Sequence, residues 1–218
     1  MDINTPLAEL ATTQPGAVPV FHRHHLDFCC GGQKSLKAAC EARQLDPAAV
    51  LAEIQAATPP PDPVTEWSEQ PLDRLISHVL ERYHSGHREV LPHLLQMAEK
   101  VEAVHADHPL RPAGLAGFLV EINDELESHM QKEEQILFPM ILEGQGHLAG
   151  PPIRVMTQEH DEHGVRLARL RALAHDYQPP PDACTTWRAL YAGLLELERE
   201  LMAHIHLENN VLFKRARQ

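Results

Sequence analysis

The sequence predicts an all-α protein, an antiparallel up-down-up-down four-helix bundle preceded by a small N-terminal helical domain. Three observations lead there. Four long segments repeat apolar residues at spacings of three and four, the breaks between them are short and rich in proline and glycine, and strand-like alternation is absent. Short connections between long helices favour antiparallel neighbours.

Residues 1–58 read as the small helical domain. Helix-like pieces lie around Leu7 to Ala11 and Ala17 to His25, followed by Cys29-Cys30-Gly31-Gly32. Ser35 can cap a helix that runs through Cys40, and a further helix spans Pro47 to Ala57. Pro59, Pro60, Pro61 and Pro63 cannot continue a helix and favour extended chain, so residues 59–70 read as a linker. The bundle occupies 71–218, with helices over 72–104, 115–142, 153–175 and 184–215. They are separated by His108-Pro109 with Pro112-Ala113-Gly114, by 144–152, and by Pro179-Pro180-Pro181.

Composition narrows the chemistry. Lysine and arginine total 19 against 31 aspartates and glutamates, a formal charge of -12, so phosphate backbones and anionic lipid surfaces are repelled. Nucleic acid is therefore not an expected partner. The N-terminal residues show no basic run followed by an apolar stretch, and nowhere are eighteen apolar residues consecutive, so a soluble cytoplasmic protein away from membranes is expected. Four cysteines, two of them adjacent, are too few and too unevenly placed for a disulfide framework. Histidine is the unusual component: 16 residues of the commonest metal ligand raise the case for a metal site without locating it.

Position locates it. In the second bundle segment Leu115, Leu119, Ile122, Leu126, His129, Glu133, Ile136 and Met140 define one core-facing stripe, interrupted by two polar residues. The fourth segment repeats the interruption in Leu190, Leu194, Leu197, Leu201, His204, Glu208 and Val211. Residues four apart lie one turn apart on the same helix face, so each His-x-x-x-Glu pair points at one locus. A buried carboxylate without a charged partner costs several kcal/mol, and a multivalent cation removes that penalty. The first and third segments add Leu80, His84, His87, Leu91 and Leu94, and Met156, His160, His163, Leu167 and Leu170, so each offers His-x-x-His. Spacing alone does not choose between His84 and His87, or between His160 and His163.

The two halves are an internal duplication. HMQKEEQILF (129–138) and HIHLENNVLF (204–213) both fit H-x-x-x-E-x-x-[IV]-L-F, and His84 precedes His129 by 45 residues where His160 precedes His204 by 44. Each half then reads as a helical hairpin bearing a half-site, the two meeting in mid-bundle. Four imidazoles and two carboxylates suit two first-row transition metals bridged by Glu133 and Glu208, with positions open for a small ligand. Two irons are preferred, although zinc or manganese also accepts such donors.

These residues resemble the hemerythrin-like bundle and, over essentially the whole chain, the repair-of-iron-centres family of iron-sulfur cluster repair di-iron proteins. The resemblance rests on Asp27-Phe28-Cys29-Cys30-Gly31-Gly32, Tyr83-His84, Ser128-His129 through Pro139, Glu159-His160-Asp161-Glu162 and His204 through Phe213. It implies His84, His129, His160 and His204 as terminal ligands, Glu133 and Glu208 as bridges, two irons as cofactor, and restoration of clusters damaged by nitric oxide or oxidants. Damaged iron-sulfur proteins would be the partners, with nitric oxide or dioxygen as small ligands. A homodimer is left open.

Cys29 and Cys30 are the candidate redox or iron-handling pair, and Gly31-Gly32 suits an exposed turn with close backbone approach and positive φ. Cys40 and Cys184 read as inert. Glu134, Glu159 and Glu162 read as groups that orient ligand imidazoles or lie on the surface. His22, His24, His25, His93, His105 and His175 read as solvated. Two rival functions stand beside cluster repair: reduction of nitric oxide to nitrous oxide at the two irons, and reversible dioxygen or nitric oxide binding or sensing.

Overall fold

The computed structural model describes residues 2–58 and 67–218, so the proline-rich part of the expected linker (Pro59, Pro60, Pro61, Pro63) lies outside the described residues. Four short helices come first: α1 (Leu7–Thr13), α2 (Ala17–Arg23), α3 (Leu36–Ala42) and α4 (Pro47–Ala56). Ser35 Oγ accepts from the Ala38 amide at 3.2 Å, and Asp46 Oδ1 accepts from the Ala48 amide at 3.0 Å with Pro47 as first helical residue. Phe21, Phe28, Leu7, Leu10, Leu36, Val50 and Ile54 bury their side chains together, and Met202 of the bundle packs against this cluster.

The first bundle helix covers 72–104 as Leu72–His78, a π-helical segment Val79–His84, and Ser85–Val104. The second covers 115–142 as Leu115–Lys132, a π segment Glu133–Leu137, and Phe138–Leu142. The third is Gly150–Leu173, and the fourth covers 185–216 as Thr185–Leu207, a π segment Glu208–Leu212, and Phe213–Ala216. Among the described residues there is no strand, only the isolated bridge between Pro6 and Ser35, and no helix long and apolar enough to cross a membrane.

Two apolar clusters fill the bundle, one holding Leu91, Leu126, Leu167 and Leu194, the other Leu75, Leu137, Ile153 and Leu212. The first and third helices meet the Leu75 cluster before the Leu91 cluster, and the second and fourth meet them in the reverse order. That alternation is the up-down-up-down topology. Between the clusters lies a buried polar layer of His84, His129, Glu133, His160, His204 and Glu208.

The π segments change the seam. A π turn inserts one residue relative to the α-helix, so the inward face advances by one position. Ile136, expected inside, is 53% exposed, whereas Leu137 is 1% exposed; Met140 is only half-buried, and Phe138 and Ile141 fill the core.

Candidate metal centre

Three of the four bundle helices widen into a π segment where they carry a polar core residue: His84 ends one, and Glu133 and Glu208 each begin one. Extra turns of this kind concentrate at functional sites because they aim a side chain where the regular helix would not. The third helix supplies His160 from an uninterrupted α-helix.

Six side chains converge into two overlapping groups. His84, His204, Glu133 and Glu208 form one, and His129, His160, Glu133 and Glu208 the other; within each group the donor atoms lie within 4.8 Å of one another, and all six residues are buried. Both carboxylates belong to both groups, so either group could hold a cation and the two would share Glu133 and Glu208. The half-sites of the two hairpins interleave in these groups. Neither hairpin holds a position by itself, since each position takes one histidine from each half. His87 and His163, the competitors by spacing, are buried but belong to neither group.

The donors fit transition metals. His84 Nε2 and His129 Nε2 lie 3.4 and 3.5 Å from Glu133 Oε2, and His160 Nε2 and His204 Nε2 lie 3.2 and 3.1 Å from Glu208 oxygens. The Nε2 atoms of His129 and His160 are 3.1 Å apart. Two donors each ~2.1 Å from one cation and roughly at right angles stand about 3 Å from each other, so these edges match a shared coordination sphere. Both oxygens of Glu133 and both of Glu208 are buried without a hydrogen-bond partner, as are His84 Nε2 and His204 Nε2. Buried orphan carboxylates are costly, and a cation is the partner that satisfies all of them together.

Three of the four converging imidazoles are oriented from behind. His84 Nδ1 donates to Glu134 Oε1 at 2.8 Å, His129 Nδ1 to Glu159 Oε2 at 2.9 Å, and His160 Nδ1 to Asn209 Oδ1 at 2.9 Å. A proton fixed on Nδ1 leaves the Nε2 lone pair facing the centre. Arg88 braces Glu134 at 2.8 Å and Lys132 braces Glu159. Ring faces cover the rest: Phe138 stacks on His84, Phe213 on His160, and Tyr83 on His204 at 5.0 Å. Phe138 and Phe213 are the terminal residues of the duplicated motif, so each half covers its own first-helix histidine. Glu134 and Glu159 thus act as the sequence suggested, whereas Glu162 pairs with Arg166 on the surface. Asn209 is a partner the sequence reading missed; its equivalence to Glu134 in the duplication was the available signal.

The electrostatics follow the geometry. Burial opposes charge on His160, but the close approach and negative field of the Glu208 carboxylate outweigh it and push its pKa up to about 9. Burial likewise opposes ionisation of Glu208, but the His204 and His160 rings close beside it hold its carboxyl well below the usual range. The His129 hydrogen bond, helped by Lys132 and opposed by burial, holds Glu159 at about 2.

The N-terminal turn abuts this centre. Asp27 binds the amides of Cys29, Cys30 and Gly31 at 2.9–3.2 Å, and the two sulfurs are free thiols 3.4 Å apart. Cys30 Sγ donates to the carbonyl of His160 at 3.1 Å, and Asn209 Nδ2 donates to the carbonyl of Cys29 at 3.4 Å. The third helix admits the thiol at Gly164, where a Cβ would stand 3.1 Å from Cys30 Sγ. The expected exposed turn is therefore a covered one, with Cys29 5% exposed. Gly32 is needed for close approach rather than positive φ, because a Cβ there would lie 2.3 Å from the Phe28 carbonyl oxygen. The Cys30 hydrogen bond, together with burial, raises the Cys29 thiol well above its ordinary pKa.

One other reading changes. His22 is not solvated: its ring meets Phe28 edge-on at 5.3 Å, and burial drives its pKa down to about 4. Cys184 is exposed with Sγ 3.3 Å from His105 Nε2, and that contact lowers its pKa.

The hemerythrin HHE cation-binding domain family matches residues 75–216, and a domain family of unknown function, DUF542, matches 3–58. An iron-sulfur cluster repair protein YtfE of Yersinia pseudotuberculosis serotype O:1b is 50% identical over 213 residues, 98% of this chain and 96% of the relative. The chain belongs to the hemerythrin-type iron-sulfur cluster repair family. A second member, YtfE of Yersinia pestis (strain Pestoides F), is 50% identical over the same lengths. The HHE match encloses all six converging residues, and the DUF542 match encloses the Cys29–Cys30 turn.

Proposed function

We propose that this chain is a di-iron protein that takes part in repairing iron-sulfur clusters damaged by nitrosative or oxidative stress, by supplying iron, binding nitric oxide, or both. The observation that carries the reading is the pair of buried donor groups sharing Glu133 and Glu208. In this proposal His84 and His204 hold one iron, His129 and His160 the other, and the two glutamates bridge them. Bound iron supplies redox chemistry and affinity for small diatomic ligands.

The chain's own groups do the rest. Glu134, Glu159 and Asn209 keep protons on Nδ1 and fix the imidazoles, while the apolar clusters above and below exclude water from the bridging carboxylates. Cys29 and Cys30 are the reducing pair: closing them to a disulfide releases two electrons and two protons beside His160. Asp27, Cys29 and Cys30 also form a third group of donors within 4.8 Å, which supports brief thiolate ligation of iron in transit. A reducing cytoplasm keeps such a pair as thiols, and damaged iron-sulfur proteins are the partners.

The test is restoration of a nitric-oxide-damaged cluster enzyme by the iron-loaded protein. Recovery should exceed that given by the same dose of free ferrous iron; equal recovery overturns the specific role. A second reading is favoured by the thiol pair: reduction of two nitric oxide molecules to nitrous oxide and water consumes two electrons and two protons, the yield of one dithiol. Anaerobic nitric oxide addition to the diferrous protein, with gas analysis, separates that turnover from simple binding.

A further inference from the structure

His87 and His163 are the equivalent residues of the two halves, each one turn beyond a ligand-type histidine on the seam. They are 2% and 4% exposed, and the Nε2 atom of each is fully buried with no hydrogen-bond partner. The His87 ring lies 5.4 Å from that of His204, and the His163 ring lies edge-on 5.1 Å from that of His129. One orphan imidazole therefore stands against a ligand of each cation position, both on the Leu91–Leu167 side of the polar layer. Neither has a carboxylate hydrogen-bond partner, in contrast to His84 and His129. Packing does not explain them: leucine would continue both stripes, and each unpaired buried nitrogen costs about 1–3 kcal/mol.

We propose that His87 and His163 form a paired hydrogen-bonding roof that holds a small acceptor of two or three atoms, anionic or polarised, over the two-cation centre. The inference rests on the metal-centre reading above. Neutral imidazoles with the proton on Nε2 each present one buried N–H donor beside the centre, His87 next to His204 and His163 next to His129. Two cations below repel a proton from either ring and draw negative charge onto whatever enters, which is what an N–H donor stabilises. His163 also forms the floor of a surface pocket of about 250 Å³ whose mouth includes Ser128, Lys132 and Glu159, so the roof borders a route from solvent.

Azide is the probe. In the diferric protein, His87→Leu and His163→Leu should each weaken azide binding roughly tenfold, as loss of a hydrogen bond to a charged acceptor predicts. The azide stretch should lose its deuterium sensitivity, and two irons per chain should be retained. His87→Gln and His163→Gln keep an N–H donor of similar reach and should restore most of the affinity. Unchanged azide affinity and vibration in the leucine variants with full iron overturns the roof and leaves the metal centre standing. Iron loss confined to the leucine variants also overturns it, by making the two residues ligands. Failure of the unmodified chain to bind iron removes the centre and the roof together.

Discussion

Glu134 and Asn209 occupy equivalent places in the two halves of the bundle, and each receives the Nδ1 proton of its half's first-helix histidine, Glu134 from His84 at 2.8 Å and Asn209 from His160 at 2.9 Å. A carboxylate strengthens the imidazole as a donor more than an amide does, so His84 and His160 are donors of unequal strength in the proposed centre. Removing either partner should weaken one ion and spare the other. Asn209→Ala should speed loss of one iron of the pair to a chelator by roughly tenfold, giving two-phase release, and Glu134→Ala should weaken the other iron; losing such an orienting partner commonly costs from about tenfold to a hundredfold in affinity. Chelator competition followed optically measures both.

Glu133→Leu or Glu208→Leu should abolish paired-metal binding and leave a helical protein. The glutamates sit at 0% exposure on an apolar seam, so leucine removes an uncompensated charge. The metal-free variants should be more stable than the metal-free parent by on the order of 1–4 kcal/mol. Metal analysis and urea melts followed by circular dichroism check the two halves of this prediction.

Acid should weaken the seat of the N-terminal helices. Burial, with the nearby Arg199 and Arg171, holds folded His22 at about 4, below its ordinary 6.5. Between those values the unfolded chain binds more protons, so stability falls as pH drops from about 6.5 to about 4 and this contribution levels off below. Urea melts of the metal-free protein at pH 7.5, 6 and 5 should show the slope, and His22→Gln should flatten it by on the order of 2 kcal/mol across the window.

Alkylation should rank the thiols. Cys184 is exposed and lowered in pKa by His105, whereas Cys29 and Cys40 are buried and raised. At pH 7 iodoacetamide should modify Cys184 first, and His105→Ala should slow that reaction several-fold. Peptide mass spectrometry gives the order.

The π segment at Glu133 makes a prediction about neighbouring residues. Leu137→Ala should cost about 2–4 kcal/mol, and Ile136→Ala no more than about 0.5 kcal/mol, because only Leu137 is buried. Paired denaturation curves decide it; the opposite ranking would restore the uninterrupted α-helical seam.

That pair also shows where the sequence stopped being legible. Helix positions were readable because turn residues such as Gly114 and Pro179 punctuate strong apolar periodicity. The converging residues were readable because polar side chains in an apolar stripe are conspicuous, above all when His129-Glu133 recurs as His204-Glu208. Periodicity assumes 3.6 residues per turn throughout, so it placed Ile136 inside where an inserted residue turns it out. Spacing could not separate His84 from His87, since both face the seam and both are buried; only the tertiary arrangement brings His84, and not His87, among the converging donors. Asn209 and Asp27 were missed because their partners, His160 and the Cys29–Gly31 amides, are set by tertiary contact or by a local turn that no repeat announces.

Each buried donor group draws one imidazole from either side of the duplication, so on the proposed di-iron reading iron would be captured only after the last helix has joined the first three. A nascent chain truncated before residue 208 lacks a bridge to both positions, however well its earlier helices have formed. Loading is thereby postponed until synthesis is nearly finished. On that reading the bound ions also tie the halves together, so a chelator should lower the stability of the bundle while the two apolar clusters that span both halves keep it folded.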